Sequence, residues 1–342
     1  MIKVGFVGLD LSERRFFTRE LIDSGNVKEK FQPLFYNSPL APELLDSDIE
    51  VLSVFTNTKV NKEVFDALPK LKLIACRSTG FDNIDTELAK KKRVTITNTP
   101  SYGASSVAEY TFAMVLMLSR KLPEILTESF SSNPNRSLER GFDLRGKTVG
   151  IIGLGDIGKG VAQIAYGMGM KILAYDVKPD ERVASWLRVE YVDEIEKLLK
   201  KSDIVTLHIP YCEDNRRFMD SKKLEQMKNS ALLINTARGE LIDTVALVKA
   251  LRDSKIAGCA LDVVENEYLL DPDEIIDLAS ENTGARSSLR HALAILALER
   301  MPNVIVTNHN AFNTIEAIER INKMVVANIT GFYDDTEIHI VG

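Results

Sequence analysis

Three glycines at fixed spacing form the motif with the clearest chemical meaning in this 342-residue chain. Gly153, Gly155 and Gly158 follow one apolar run and precede a helical pattern and a second apolar run, after which comes Asp176. In such a unit the first glycine permits a tight turn, the second admits a pyrophosphate to backbone N–H groups, and the third lets the helix pack against the strand. The helix N-terminus adds a partial positive charge. The pattern therefore predicts a dinucleotide-binding turn.

The acidic residue at the end of this unit bears on the choice of dinucleotide. A carboxylate there suits two ribose hydroxyls and repels a 2′-phosphate, so Asp176 predicts NAD(H) rather than NADP(H). Lys178 and Arg182 lie nearby in the sequence and weaken that preference. A second glycine pair, Gly5 and Gly8, has neither the third glycine nor an acidic residue after a second strand. That pair indicates a first strand and its turn.

Three further segments carry an arginine, acidic residues and a histidine, and each follows a predicted strand. Arg238 comes after the run 231–234, acidic residues at 262–267 come after the next run, and His309 comes after the run 304–306. Ligands bind at the carboxyl ends of the strands in open α/β sheets. Reduction of a 2-oxo acid by hydride needs a cation for the carboxylate and carbonyl oxygen, a proton donor of near-neutral pKa, and an acid that keeps the donor charged. The three segments contain that set.

Composition restricts the class of protein. The chain is 45% hydrophobic and 27% charged, which describes a globular protein, and its length predicts two domains. A net charge of −6 without a basic stripe argues against a nucleic-acid partner. The apolar stretch 110–118 is too short to cross a bilayer, and the N-terminus has no export signal, so we expect a cytoplasmic protein without a membrane partner.

Cysteine and histidine usage points the same way. The three scattered cysteines, Cys76, Cys212 and Cys259, fit reduced and buried thiols in a cytosolic protein. No group of His, Cys or Asp residues has metal-ligand spacing, so no metal is expected. Of the other histidines, we assign His208 to a strand end beside the cofactor, His291 to a helix surface, and the third to the C-terminal tail.

Strand and helix patterns alternate along the chain, which predicts an α/β protein with two doubly wound parallel-sheet domains. A Rossmann NAD-binding domain at 102–312 is inserted into a flavodoxin-like substrate domain made of 1–101 and 313–342. The segment 106–121 predicts a long, largely apolar helix, and 123–146 a helix end followed by a loop. The predicted strands lie at 3–7, 32–36, 51–55, 73–75, 95–97, 149–152, 171–175, 204–209, 231–234, 258–260 and 304–306.

Seven separated strings, in unchanged order, resemble one known family over nearly the whole chain. The strings are LIACRSTGFDNID, NTPSYGASSVAEYTFAM, GLGDIG, TLHIP, INTARGELID, ALDVVENE and TNHNAF. They resemble the D-isomer-specific 2-hydroxyacid dehydrogenases, and within that family the D-lactate dehydrogenase branch most closely. The resemblance implies reversible hydride transfer between NADH and a small 2-oxo acid, and it alone implies the D stereochemistry of the product.

The resemblance also implies roles for single residues. Arg238 would bind the substrate carboxylate and polarise the carbonyl, His309 would exchange the proton, and Glu267 would hydrogen-bond His309 and raise its pKa. Thr79 and Gly80 would bind the carboxylate through backbone N–H groups. The remaining implied contacts are Tyr102 at the substrate, and a cofactor set of Gly153, Gly155, Asp156, Ile157, Gly158, Asp176, Pro210, Thr236, Ala237 and Asp262.

Several alternatives stay open at this stage. His309 could be a loop histidine with internal partners, Arg238 a surface ion-pair residue, and Tyr102 an ordinary packing aromatic. Glu265 lies two residues from Glu267 and competes with it for the catalytic role, although the spacing from the preceding aspartate favours Glu267.

Two departures from the family pattern bear on the site. Asn308 stands where the family usually has proline, which suggests a histidine loop that is more mobile or differently hydrogen-bonded. The segment 268–301 is long for this family. It is interpreted as a lid over the active site or, in preference, as a solvated surface insertion.

The substrate and assembly are less well defined by the sequence. Aromatic residues Phe81 and Tyr102 favour a small to medium apolar side chain, so pyruvate is the first choice, ahead of 2-oxobutyrate, phenylpyruvate, hydroxypyruvate and glyoxylate. Two alternative classes stay open: a formate or phosphite dehydrogenase, and a non-catalytic NAD(H)-sensing protein on the same fold. The apolar helix at 106–121 predicts a homodimer formed through the nucleotide domain.

Overall fold

The computed structural model describes residues 1–23, 31–129, 140–265 and 285–341. It divides into two compact units: unit 1, which comprises Met1–Tyr102 and Thr314–Gly342, and unit 2, which comprises Gly103–Asn313. Each unit has its own sheet of mainly parallel strands. The predicted α/β fold class, with two doubly wound parallel-sheet domains, is confirmed.

The strands follow the apolar runs of the sequence closely. Their bounds are β1 Ile2–Val7, β2 Phe31–Tyr36, β3 Ile49–Val54, β4 Leu73–Cys76, β5 Thr95–Thr97, β6 Thr148–Ile152, β7 Lys171–Tyr175, β8 Val189–Tyr191, β9 Ile204–Leu207, β10 Leu232–Asn235, β11 Gly258–Leu261, β12 Val304–Val306 and β13 Ile340–Val341.

The α-helices occupy the segments between these strands. Their bounds are α1 Leu11–Thr18, α2 Lys62–Ala67, α3 Thr86–Lys92, α4 Ala104–Ser119, α5 Leu122–Ser129, α6 Asp156–Gly167, α7 Glu181–Leu187, α8 Ile195–Lys201, α9 Ser221–Gln226, α10 Thr244–Arg252, α11 Ala285–Glu299 and α12 Ile315–Asp334. Among the described residues, no helix is both long and apolar enough to cross a membrane.

The sheet of unit 1 has the order β13-β5-β4-β3-β1-β2. The five strands β1 to β5 are parallel and have the flavodoxin-like order, and β13 adds an antiparallel edge. Pro33 is accommodated because β2 is an edge strand, where a missing N–H breaks no ladder on the open side. Fully buried side chains such as Phe6, Phe17, Phe65 and Ile74 form the core.

The sheet of unit 2 has the order β12-β11-β10-β9-β6-β7-β8, with every pair parallel. The order reverses between β6 and β9, and in such sheets this is where ligands bind. Two apolar clusters lie on the opposite faces of the sheet. Because β10, β11 and β12 are adjacent and parallel, their carboxyl ends lie at one edge.

Several details differ from the sequence-based expectation. The long helix α4 begins two residues earlier, and 122–129 forms the separate helix α5 rather than a helix end. Much of α4 is already buried inside unit 2, against α6, β10 and β11, which leaves less apolar surface for a partner than expected. Cys212 is exposed, whereas all three cysteines were expected to be buried.

Candidate active site

The turn after β6 has the backbone geometry that its glycines predict. Gly153 has φ of +92°, a region that side chains rarely adopt, and a Cβ there would lie 2.7 Å from the carbonyl oxygen of His208. A Cβ on Gly158 would overlap the carbonyl oxygen of Gly153. Glycine is therefore required at both positions for helix α6 to pack against the strand and for β6 and β9 to approach each other.

The N-terminus of α6 is open. Gly155 is the N-cap residue, no side chain caps the helix, and a Cβ on Gly155 would meet nothing within 4 Å. The first helical residues, Asp156 and Ile157, follow directly. Helix N-termini carry partial positive charge and unused N–H donors. The residues present therefore fit a nucleotide pyrophosphate.

Asp176 fixes the same turn from β7. Its carboxylate accepts hydrogen bonds from the backbone N–H of Leu154 at 2.6 Å and of Lys178 at 2.8 Å, and the residue is only half-buried. A carboxylate offers about four acceptor positions, so capacity for ribose hydroxyls remains. Arg182, which weakened the preference for NAD in the sequence, lies 3.8 Å from Asp180 through its Nε.

The opposite side of the crevice is formed by the end of β9. The Nε2 atom of His208 lies 2.7 Å from the hydroxyl of Thr206, and burial lowers the pKa of this imidazole to about 3. His208 is therefore neutral at physiological pH, which fits a strand-end residue and not an acid–base group. Pro210 is exposed, and its carbonyl oxygen accepts a hydrogen bond from the Asn215 side chain at 2.7 Å.

The loop after β10 presents Arg238. The side chain of Asn235 holds this loop, because it accepts from the N–H of Ala237 at 3.0 Å and donates to the carbonyl oxygen of Arg238 at 2.8 Å. Arg238 is half-buried, and its guanidinium donates to the Ala237 carbonyl oxygen at 2.8 Å. The hydroxyl of Thr236 lies 3.0 Å from that of Thr111 on α4, which anchors the loop.

A close backbone contact joins the loops that follow β10 and β11. A Cβ on Gly239 would overlap the carbonyl group of Val264 and lie within van der Waals radii of the N atom of Glu265. The residue directly after Arg238 must therefore be glycine. This contact fixes the arginine relative to the acidic segment that ends β11.

Asp262 organises the histidine loop. Its buried carboxylate accepts from the Thr307 hydroxyl at 2.6 Å and from the N–H groups of Asn310 and Ala311 at 2.9 and 2.8 Å, and its carbonyl oxygen accepts from the N–H of His309 at 2.7 Å. The sequence assigned Asp262 to the cofactor, whereas its described hydrogen bonds position the loop. They also hold the loop firmly where Asn308 replaces proline.

His309 projects from this loop in an unusual backbone conformation. Its φ is +48°, the residue is half-buried, and its ring packs edge-on against Phe312 with centroids 6.4 Å apart. Positive φ at a residue other than glycine is uncommon and marks positions that the surrounding structure holds in place. Arg238, Asp262 and His309 thus follow three adjacent strands at one edge of the unit 2 sheet.

The structure describes Glu265 but not Glu267, the two acids that compete for the role beside His309. Glu267 lies outside the described residues, as does 266–284, which holds much of the segment interpreted as a lid or insertion. The side chain of Glu265 is fully buried, and its carboxylate lies 3.2 Å from Arg216, 3.1 Å from Arg217 and 3.2 Å from His291. Glu265 is thus committed to an internal ion cluster, which sequence reasoning missed.

The same cluster corrects the placement of His291. The sequence put it on a helix surface, but it is only 6% exposed, and its Nε2 lies 2.8 Å from an NH2 group of Arg217. Hydrogen bonding to Glu265 raises the pKa of Arg216. The sequence showed only that Glu265 and Glu267 are separated by one residue. It did not indicate that Glu265 would be buried in an ion cluster.

Unit 1 carries the loop expected to bind a carboxylate. The carbonyl oxygen of Thr79 accepts from the Asn98 side chain at 2.8 Å and that of Gly80 from the Ser78 hydroxyl at 2.6 Å. Within the described residues, the backbone N–H groups of Thr79 and Gly80 have no hydrogen-bond acceptor. Tyr102 is half-buried, and its carbonyl oxygen accepts from Arg320 at 2.7 Å.

Comparison with known proteins gives the same class. Residues 112–311 match the family model described as D-isomer specific 2-hydroxyacid dehydrogenase, NAD binding domain. The D-lactate dehydrogenase of Escherichia coli is 34% identical over 82% of both chains, and the glyoxylate reductase of Thermococcus litoralis is 34% identical over 93% of this chain and 92% of that protein. A crystal structure of the Aquifex aeolicus D-lactate dehydrogenase complexed with NAD and lactic acid superposes with a TM-score of 0.82, at 34% identity, over 97% and 96% of the two chains.

The fold, the turn at 153–158 (the nucleotide turn) and the comparisons together define an NAD-dependent oxidoreductase. The chain belongs to the D-isomer specific 2-hydroxyacid dehydrogenase family. Its cofactor is NAD, in keeping with the open N-terminus of α6 and the carboxylate of Asp176. No group of three or more His, Cys, Asp or Glu residues in the described part of the chain has the arrangement of a metal site.

Proposed function

We propose that this protein reduces pyruvate to D-lactate with NADH, reversibly, with His309 as the proton donor and acceptor. The observation that carries the proposal is the placement of Arg238 and His309 after β10 and β12, the two parallel strands that flank β11, with both loops tied to the segment after β11. A cation and an acid–base group at one sheet edge, in the unit that holds the nucleotide turn, suit hydride exchange with a 2-oxo acid.

The chain's own residues supply binding, orientation and proton transfer. When bound, NADH supplies the hydride. Arg238 would pair with the substrate carboxylate and draw electron density from the carbonyl oxygen, which makes the carbonyl carbon more electrophilic. His309 would donate its proton to the developing alkoxide in reduction and accept it in oxidation. The hydrogen bonds of the 309–311 backbone to Asp262 support this role, because they fix the position from which the imidazole extends.

Other residues would complete the machinery. We propose that Glu267 hydrogen-bonds the imidazole of His309, a role supported by the commitment of Glu265 to its ion cluster. For unit 1 we propose that the N–H groups of Thr79 and Gly80 bind the carboxylate and that Tyr102 borders the substrate. Asp262 would border the nicotinamide, Pro210 would line the adenosine or nicotinamide channel, and Thr236 and Ala237 would also contact the cofactor. The glycines of the turn, Asp156, Ile157 and Asp176 would complete the cofactor site.

The proposed substrate is more specific than membership of the family implies. Relatives named as D-lactate dehydrogenase, glyoxylate reductase and D-3-phosphoglycerate dehydrogenase share similar identity with this chain. Pyruvate remains the first choice, with 2-oxobutyrate, phenylpyruvate, hydroxypyruvate and glyoxylate as the alternatives. A non-catalytic NAD(H)-sensing protein is the alternative from another class.

The test is an assay of the purified protein with NADH and each of these 2-oxo acids, following loss of NADH absorbance and resolving the chirality of the product. We expect pyruvate to give D-lactate with the highest kcat/KM. His309→Gln and Arg238→Gln should each lower kcat/KM by about 10²- to 10⁴-fold, because each removes a transition-state interaction. His339→Gln, at an exposed tail histidine, is the matched control and should retain full activity.

The outcomes separate the hypotheses. Turnover of glyoxylate or phenylpyruvate in preference to pyruvate would replace the substrate and keep the mechanism. An unchanged rate in His309→Gln would remove histidine from its proposed role. Tight NADH binding without turnover of any 2-oxo acid would favour the sensing protein.

We also propose that the protein acts in the cytoplasm as a homodimer formed through unit 2. Support for the dimer comes from exposed apolar side chains on adjacent helices: Leu116 on α4 is 37% exposed, and Leu122, Ile125 and Leu126 on α5 are 39%, 39% and 54% exposed. Light scattering at micromolar concentration should give twice the chain mass. Leu126→Glu should shift that mass toward the monomer.

A further inference from the structure

A cleft of about 630 Å³ lies on unit 2 between α10 and α11. Apolar residues from both helices line it, among them Val245, Val248 and Ala294. None of its lining residues belongs to the nucleotide turn or to the loops that carry Arg238 and His309. The cleft is therefore a second concave surface, separate from the site proposed for catalysis.

The lining of this cleft is strongly basic. Lys249 and Arg252 from α10 and Arg290 from α11 are exposed there, and Arg217 and His291 lie beside them. Lys249, Arg252 and Arg290 form no ion pair with any described residue. This excess is local, because the whole chain has a net charge of −6. Cations left unpaired around a cleft attract multivalent anions.

The described acidic residues near the cleft already form other contacts. Asp243, the acidic residue of the lining, caps α10 by accepting from the N–H of Ala246 at 3.0 Å. Arg217 is also incompletely paired. Its NH2 group contacts Glu265 and His291, but its Nε is buried and has no hydrogen-bond partner among the described residues. Positive charge in the cleft thus exceeds what the described residues neutralise.

We propose that this cleft binds a small anion that carries two or more negative charges. The charged groups of the ligand would pair with Lys249, Arg252 and Arg290, and any apolar part would cover Val245, Val248 and Ala294. Carboxylate and phosphate groups satisfy the same cations, and arginine binds either of them in bidentate fashion.

Arg217 gives this site a physical connection to the proposed active site. Its N–H donates to the carbonyl oxygen of Glu240 at 2.7 Å, two residues after Arg238, and its guanidinium pairs with Glu265, whose backbone packs on Gly239. An anion that draws Arg217 toward the cleft weakens its pairing with Glu265. This link, which rests on the proposed function, predicts that the anion changes the KM for the 2-oxo acid.

Binding is tested by calorimetry with citrate, with inorganic pyrophosphate and with acetate, at constant ionic strength and with saturating NADH to fill the nucleotide turn. The triple variant Lys249→Gln, Arg252→Gln, Arg290→Gln should bind the multivalent anions about tenfold or more weakly than wild type. The matched control, Lys197→Gln, Lys200→Gln, Lys201→Gln on α8, removes the same charge elsewhere on unit 2 and should bind within about twofold of wild type. Arg238→Gln should bind as wild type does.

Each result bears on the proposal. Citrate binding alone identifies carboxylates as the ligand class, pyrophosphate binding alone identifies phosphates, and binding of both supports recognition by charge number. Equal losses in the two triple variants, a loss in Arg238→Gln, or no heat with either multivalent anion would overturn the site.

The link is measured separately, as the KM for whichever 2-oxo acid the protein reduces. A KM that changes about threefold with the anion in wild type, but not in the cleft variant, supports the link. An unchanged KM in wild type overturns it without touching the binding result. Absence of any turnover would overturn the proposed function, and calorimetry would still test the cleft.

Discussion

Helices α1 and α6 both follow a glycine turn, but only α1 has a side chain that caps its N-terminus. In unit 1 the turn after β1 contains Gly8 with φ of +71°, and in unit 2 the turn after β6 contains Gly153 with φ of +92°. At α1 the carboxylate of Asp10 accepts from the N–H groups of Ser12 and Glu13 at 2.7 and 2.8 Å. At α6 the corresponding N-cap position is Gly155, which offers no side chain at all.

The difference shows what makes such a turn a binding site. A helix N-terminus attracts an anion, and α1 satisfies that attraction with its own carboxylate through a capping box in which Glu13 accepts from the N–H of Asp10 at 3.2 Å. The α6 terminus leaves the same capacity to a ligand. A strand, a glycine turn and a helix are therefore insufficient for a binding site, and the vacant N-cap is the feature that suits a phosphate group.

The largest expected effect comes from giving α6 the carboxylate that α1 has. Gly155→Asp places a negative charge where the pyrophosphate is expected, and the open space around the position accommodates the side chain. We expect NADH affinity to fall by about 100-fold or more, equivalent to about 2.7 kcal/mol, with little change in the free energy of unfolding. Fluorescence titration with NADH measures the first, and urea unfolding the second.

Gly155→Ala is the control for side-chain bulk, because it adds only the Cβ. Affinity in this variant should stay much closer to wild type than in Gly155→Asp. Equal losses in both variants would show that space, and not the vacant anion position, governs binding at α6.

An intermediate effect is expected when α1 loses its carboxylate. Asp10→Ala removes the cap from two N–H groups and should lower the stability of unit 1 by about 1 kcal/mol, while NADH affinity stays unchanged. The measurement is the urea midpoint, with NADH titration beside it. Weaker NADH binding in Asp10→Ala would contradict the separation of the two termini.

The smallest effect concerns pH. The N–H of Glu13, together with the Ser12 hydroxyl, holds the pKa of Asp10 below its usual value. A carboxylate with a lowered folded pKa stabilises the fold above its unfolded pKa, and this contribution disappears as the pH falls through the folded value. Asp10→Asn keeps a capping oxygen but loses the charge, so it should be slightly less stable than wild type at pH 7.

That gap between wild type and Asp10→Asn should narrow below about pH 4, where aspartate becomes protonated. Urea midpoints of both proteins between pH 7 and pH 3 measure it. A gap that stays constant with pH would mean that the charge of Asp10 contributes nothing to the cap.

Sequence reasoning succeeded where a local pattern determines the structure. The apolar runs located β5, β7 and β12 to the residue, because strand formation follows hydrophobic patterning. Glycine spacing located the tight turn after β6, because a Cβ does not fit at Gly153 or Gly158. The edge strands β8 and β13 were missed. The sequence of β8, VEY, has a charged residue at its centre, and β13 has only two residues, which depend on pairing with the distant strand β5.

The sequence indicated which residue types follow the strands at this sheet edge, but it did not indicate their contacts. Arg238 and His309 could be placed after their strands, but the hydrogen bonds of Asp262 to the histidine loop join residues more than 40 positions apart. The same holds for Glu265, whose partners His291 and Arg217 come from separate elements. A carboxylate in a sequence shows its charge, whereas its burial and partners emerge only in the folded chain.

The anchoring of the histidine loop by Asp262 also has a consequence for timescales. With the backbone at 309–311 held by three hydrogen bonds, the half-buried imidazole can reorient only by rotating about its side-chain bonds. Rotamer changes of exposed side chains take picoseconds to nanoseconds, and loop motions take up to microseconds. Enzyme turnover commonly takes milliseconds or longer. If His309 transfers the proton as proposed, its realignment would be complete long before each catalytic cycle ends, and slower events would set the overall rate.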